Sequence, residues 1–255
     1  MSDQTQSAAA LRALTLLDLT DLSDLCTAPD IDKLCARAQT PHGHAAAICI
    51  WPQFVSQARG NLRKSPVRIA TVINFPNGGD DTERAVEDTR EALKDGAHEI
   101  DLVMPYHAFL RGDPGAARDM ITAVRDEIDA RGLLKVILET GALADSARIA
   151  QASDLAISAG ADFIKTSTGK IAVSATPEAA DTMLRRIKAR RRPVGFKAAG
   201  GIRSLGDAQL YLGLADDIMG ADWASPKTFR FGASGLLDVL LAVLGGTAAP
   251  KPGSY

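Results

Sequence analysis

Phe163-Ile164-Lys165-Thr166-Ser167-Thr168-Gly169-Lys170 reads as a short apolar strand that carries one lysine and breaks into a glycine turn ending on another. A second run, Gly195-Phe196-Lys197-Ala198-Ala199-Gly200-Gly201, repeats the design about thirty residues later. Lysine is depleted in strands and is almost never fully buried without a partner, so two of them in such runs need a reason. One reason is snorkelling from strand ends into water. The other is chemical. Two ammonium groups held close disfavour each other's charge, and partial loss of water adds to the effect. One amine then becomes a neutral nucleophile near pH 7, fit to form a Schiff base with a carbonyl.

Working outward, comparable apolar runs recur over 16–20, 45–50, 68–75, 99–104, 134–140, 163–168, 194–199 and 229–234, with starts about 23 to 35 residues apart. That interval holds one strand, one helix and two short loops, and eight such units read as a (β/α)8 barrel. The segments between carry helix marks. Asp81 to Asp95 places Ala85 and Leu93 among charges and stops at Gly96; Thr176-Pro177-Glu178 combines a capping residue, a first-turn proline and an acid; Ser204 caps a helix holding Leu205, Leu210 and Leu214. An open doubly wound sheet would show the same alternation. The strands decide for the barrel, because a sheet covered on both faces needs nearly unbroken apolar runs. Here Asp101, Lys135, Glu139, Lys165 and Lys197 interrupt them. Side chains alternate along a strand, so Glu99 and Asp101 share one face, as do Phe163 and Lys165, and Gly195 and Lys197. Pointed inward, the charged set would place mutually neutralising acids and amines at the barrel centre.

The chain has 255 residues, matching the length of about 250 typical of one such barrel. It reads as a single domain over 1–255 with a flexible tail at about 246–255. Three cysteines, Cys26, Cys35 and Cys49, form no CxxC pattern, so neither a disulfide framework nor a zinc site is expected, and a reducing cytoplasm is the natural setting. The polar N-terminus lacks a signal pattern and no apolar run spans a membrane, so no membrane partner is expected. A net charge of −2 with interspersed signs, and 5% aromatic residues, argue against nucleic-acid binding. The partner expected is a small molecule.

Asp101 is the candidate general acid/base, able to pass protons through a water, with a plain counter-ion role as its alternative. Asp18, in the first strand, could orient that network or bind a substrate hydroxyl. Ser167-Thr168-Gly169-Lys170, Gly200-Gly201-Ile202-Arg203 and Gly232-Ala233-Ser234-Gly235 follow the last three strands. Glycine lets amides approach an anion, and Lys170 and Arg203 add charge, so these loops read as a phosphate site; tight turns alone would also need glycine. His42-Gly43-His44 has metal-ligand spacing but no third ligand nearby, and turn histidines are the expectation. Cys49 reads as a small buried thiol, near substrate if its side of the strand faces the interior.

These residues give the chain a resemblance to the 2-deoxyribose-5-phosphate aldolases, class I aldolases on a (β/α)8 barrel. The likeness runs through residues 11–20, Ala46-Ala47-Ile48-Cys49-Ile50, Asn74-Phe75-Pro76, both lysine runs, Arg230-Phe231-Gly232-Ala233-Ser234 and the terminal Ser254-Tyr255. It implies reversible cleavage of 2-deoxy-D-ribose 5-phosphate to acetaldehyde and D-glyceraldehyde 3-phosphate. Lys165 would be the imine lysine, Lys197 the amine that perturbs it and Asp101 the proton relay. Thr20, Cys49, Thr168, Gly169, Lys170, Gly200, Gly201, Arg203, Gly232 and Ser234 would meet the substrate, most of them at its phosphate. It further implies a homodimer, no metal or cofactor beyond the covalent imine, and a Tyr255 that enters the site to exchange the enamine proton. Two departures stand out. Ala198 follows Lys197 where many relatives carry proline, which would loosen the loop behind that lysine, and Gly235 replaces a second serine, removing one hydroxyl donor. A transaldolase-like enzyme would share the Lys165 chemistry but prefer a ketose donor, and a non-catalytic phosphosugar-binding barrel would not need two interior lysines.

Overall fold

The computed structural model describes residues 3–190 and 192–247. Eight parallel strands close into a barrel: β1 (Leu17–Asp21), β2 (Ala47–Ile50), β3 (Arg68–Ile73), β4 (Glu99–Val103), β5 (Leu133–Ile137), β6 (Phe163–Lys165), β7 (Gly195–Ala199) and β8 (Phe229–Ala233). Each pairs with its successor, and β8 closes on β1. All eight expected strands are present, and the open-sheet alternative falls.

Three expected strands end early by two or more residues, at Ile73, Ile137 and Lys165 rather than at Phe75, Thr140 and Thr168. Polar side chains there capture the backbone. Asn74 and Glu139 take left-handed conformations with φ of 56° and 55°, and the Thr168 hydroxyl accepts the Lys170 N–H at 3.0 Å, which curls the chain into a turn. The helices keep their predicted ends. Asp81 caps Thr82–Asp95 by accepting the Arg84 N–H at 3.0 Å, and Gly96 closes it at φ 108°. Ser204 and Asp207 form a reciprocal capping box on Leu205–Met219, and Pro177 opens the helix that runs to Arg190. A helix over Asp3–Thr15, absent from the sequence reading, buries Ala10, Ala13 and Leu14. Arg12 ties it to Asp216 through two bonds of 2.5 and 2.6 Å.

The apolar core lies outside the strands, where Ile48, Ile69, Ile100, Val136, Ile164, Phe196 and Phe231 meet the helices. Inside, Asp18, Glu99, Asp101, Lys135 and Lys197 are fully buried, as the alternation predicted. Glu139 is a correction to that set: it lies two residues past the end of β5. Ala198 is a second correction, for it sits within β7 with no exposure, so no loosened loop follows Lys197 directly. His42 and His44 belong to a two-stranded hairpin, and among the described residues no cluster of histidine, cysteine or acid side chains could hold a metal ion. All three cysteines are free thiols. No described helix is long and apolar enough to cross a membrane.

Candidate active site

The register of β6 against β7 sets Lys165 directly opposite Lys197. Thr166 fastens this register, since its hydroxyl accepts the Ala199 N–H at 3.0 Å and donates to the Ala199 carbonyl at 3.2 Å. The two amines do not confront each other bare. Oδ2 of Asp101 takes a bond from each, at 2.9 Å from Lys165 Nζ and 2.7 Å from Lys197 Nζ. Lys197 also reaches Oδ2 of Asp18 at 2.6 Å.

Below this pair lies a floor of charge that the sequence reading left without roles. Lys135 Nζ meets Oδ1 of Asp101 at 2.8 Å and Oε2 of Glu99 at 2.6 Å. The Arg230 guanidinium bonds Oδ1 of Asp18 at 2.5 Å and Oε1 of Glu99 at 2.9 Å, and lies 5.7 Å from the Phe163 ring centroid. Gly195 makes room for that ring: a Cβ there would stand 2.3 Å from a Phe163 ring carbon. The clue to the floor was in the sequence, because Glu99 alternates with Asp101 on one face and Arg230 with Gly232 on another.

Burial pushes the carboxyls of Asp18, Glu99 and Asp101 up, but the surrounding cations outweigh it and hold all three below the ordinary carboxylate range. Burial likewise weakens the charge on Lys135 and Lys197, and their carboxylates reverse it, leaving both more firmly protonated than a free lysine. Three carboxylates are thus matched by Lys135, Lys197 and Arg230. Lys165 makes one ion pair, ends its strand and keeps 3% exposure where Lys135 and Lys197 have none, so it is the amine that reaches the mouth.

The other predicted residues fall around this centre. Cys49 is fully buried with Sγ 4.0 Å from Oδ2 of Asp101, which places the thiol inside the barrel; burial raises it above the usual thiol range. Thr20 is half-buried and spends its hydroxyl on the Asp18 carbonyl at 2.8 Å. Gly169, Gly200 and Gly201 turn with φ of 81°, 87° and 83°, and a Cβ on Gly200 would come within 3.3 Å of the Gly169 Cα, so the loops after β6 and β7 touch. The Thr168 hydroxyl donates to Oε2 of Glu139 at 2.5 Å. The Lys170 ammonium pairs with Asp24 at 3.0 Å and lies 5.9 Å from the Trp51 ring centroid. Arg203 is exposed, with its backbone N–H bonded to Asp207. Ser234 and Gly235 lie between β8 and the helix Leu236–Leu244, where Gly235 is the capping residue. Tyr255 lies outside the described residues.

Gly232 lies in β8, within the run over 229–234 expected as a strand, and a Cβ there would stand 3.0 Å from Lys197 Cε and 3.0 Å from Ala199 Cβ. Its bareness makes room for Lys197. Gly232→Ala is therefore expected to lower kcat severalfold by displacing that amine, with KM little changed. Steady-state kinetics checks this, and a rise confined to KM would return Gly232 to a phosphate role.

Fold and site together define a (β/α)8 barrel with a charged, amine-bearing centre. The chain belongs to the DeoC/LacD family of aldolases, whose family model matches residues 3–241. A deoxyribose-phosphate aldolase of Agrobacterium fabrum is 55% identical over 255 residues, which is 100% of this chain and 98% of the relative. Among solved structures, the tetrameric deoxyribose phosphate aldolase of Aeropyrum pernix is 27% identical, with a TM-score of 0.76 over 95% of this chain and 98% of that one. A Toxoplasma gondii protein 21% identical has a TM-score of 0.88 over 97% of this chain and 100% of its own, a likeness of fold.

Proposed function

We propose that this aldolase cleaves 2-deoxy-D-ribose 5-phosphate reversibly to acetaldehyde and D-glyceraldehyde 3-phosphate, through an imine on Lys165. The observation that carries the reading is the surplus of one amine. With Asp18, Glu99 and Asp101 already balanced by Lys135, Lys197 and Arg230, Lys165 is not needed as a counter-ion. It ends its strand with a single ion pair and is the amine of the set that keeps some exposure.

Nζ of Lys165 adds to the open-chain aldehyde at C1, and loss of water leaves a protonated imine. A base takes the C3 hydroxyl proton, the C2–C3 bond breaks, and its electron pair moves into the iminium to give an enamine while C3 becomes the aldehyde of glyceraldehyde 3-phosphate. Protonation at C2 and hydrolysis release acetaldehyde and the amine. Asp101, 2.9 Å from Lys165, is placed to exchange these protons directly or through water, and Lys197 and Lys135 hold its charge in place. No metal or other cofactor enters this scheme. The touching glycine loops, Lys170, Arg203 and Ser234 would take the phosphate, with Asp18, Thr20 and Cys49 lining the sugar end. A homodimer in the cytoplasm remains the assembly and setting proposed.

Turnover of 2-deoxyribose 5-phosphate with detection of acetaldehyde tests the substrate; a ketose donor accepted in its place would favour the transaldolase-like reading. Arg203→Ala is expected to raise KM for the phosphorylated sugar more than for 2-deoxyribose. Equal effects would remove Arg203 from the phosphate site. For Tyr255 the proposal is exchange of the enamine proton: its deletion should slow deuterium uptake into the acetaldehyde methyl group while Lys165 still forms its imine, and unaltered exchange by NMR would leave the residue without that role.

A further inference from the structure

Glu139 is fully buried, yet among the described residues it is the one buried carboxylate with no cation within ion-pair distance. Its backbone is left-handed, with φ 55° and ψ 61°, a conformation that costs a residue with a side chain on the order of 1 kcal/mol or more and is kept where the surroundings impose it. Its side chain meets Thr168. The Thr168 N–H approaches Oε1 at 3.3 Å and Oε2 at 3.4 Å, and its hydroxyl donates to Oε2 at 2.5 Å. That same hydroxyl oxygen accepts the Lys170 N–H at 3.0 Å. The Thr140 and Ser167 hydroxyls, 3.4 Å apart, add a weaker tie beside it. Burial raises the Glu139 carboxyl above its usual range and the Thr168 bonds only partly offset this, so the group is held there against its preference for water.

The chain of bonds runs from the end of β5 into the loop after β6, and that loop carries Gly169, which touches Gly200 of the loop after β7. We propose that Glu139 is a positioning residue for the phosphate end of the substrate: through Thr168 it holds the loop of residues 167–170 against the neighbouring glycine loop. The inference rests on the proposed function, because the ligand of these loops is taken to be the sugar phosphate. Glu139 touches neither the imine nor the reacting carbons in this account. It sets where Gly169 and Lys170 stand.

The test compares 2-deoxyribose 5-phosphate with unphosphorylated 2-deoxyribose in the full-length enzyme and in Glu139→Gln, Thr168→Val and Thr168→Ser. A glutamine keeps the volume but loses one acceptor oxygen, and a valine removes the hydroxyl relay. Both are expected to cut the preference for the phosphorylated over the unphosphorylated sugar about tenfold, mainly through KM, as expected for one charge-assisted bond. Thr168→Ser, which keeps the hydroxyl, should restore most of it. A packing defect alone would depress both sugars together, so an equal loss on both, or an unchanged preference in both Glu139→Gln and Thr168→Val, overturns the role. Acetaldehyde trapping on Lys165 in the same preparations separates the two readings. Trapping with no change of preference removes Glu139 and leaves the aldolase reading intact, whereas an unmodified enzyme that neither traps acetaldehyde nor turns over either sugar overturns both.

Discussion

Replacing Lys165 by leucine is expected to abolish turnover, with a loss on the order of 10⁴-fold or more in kcat, as removal of a covalent nucleophile commonly gives. Little of that loss should come from damage to the fold. Lys165 makes one ion pair, and Asp101 keeps Lys135 at 2.8 Å and Lys197 at 2.7 Å when it is gone. The barrel centre in the variant holds three carboxylates and three cations, so the thermal midpoint should move little. A variant that is inactive but well folded by circular dichroism and calorimetry is the expected result. Residual activity within tenfold of the parent enzyme would mean that the amine does not form the intermediate.

Lys197→Leu is expected to behave differently, because Lys197 is a structural counter-ion as well as a neighbour of the reacting amine. Its loss leaves Oδ2 of Asp18 without its 2.6 Å partner and Oδ2 of Asp101 with Lys165 as its one ammonium partner. Breaking a buried pair of this kind costs about 3–5 kcal/mol, so the midpoint should fall. The functional effect follows from the same count. With Lys135 and Arg230 left to balance three carboxylates, Lys165 is recruited as the third cation. Removing a positive neighbour leaves the charge on that amine less opposed. The pH–rate profile should move towards alkaline pH, and activity at pH 7 should fall by about 10² to 10³, in the range of effects on proton-transfer steps. Higher pH should recover part of the loss. An unchanged profile would show that the two amines do not communicate, despite sharing one oxygen of Asp101.

The barrel was legible because its interior is charged. Runs such as Glu99-Ile100-Asp101 put acids on one face of a strand, which can only be a polar centre or water, and eight strand-like runs with starts about 23 to 35 residues apart leave little choice of fold. The candidate residues Lys165, Lys197 and Asp101 were legible as charges set in those strands. What was not legible was the pairing. Lys135, Glu99 and Arg230 come from three separate strands, and nothing in their local sequence says that they meet below the reactive amine; that depends on the stagger of a closed barrel. Glu139 was misplaced for a related reason. Its apolar neighbours extend the strand pattern, while Thr168, which its side chain meets past the strand end, lies 29 positions away in the chain. Gly232 was read for a phosphate role alone, because the close approach of Lys197 to it belongs to tertiary structure.

The central claim is an imine on Lys165, and reduction by borohydride in the presence of acetaldehyde tests it most directly. Mass spectrometric peptide mapping should find a single N-ethyl lysine at position 165, with Lys135, Lys170 and Lys197 unmodified and the enzyme irreversibly inactivated in step with labelling. A label confined to any other lysine, or no label in an enzyme that is turning over, would contradict the account.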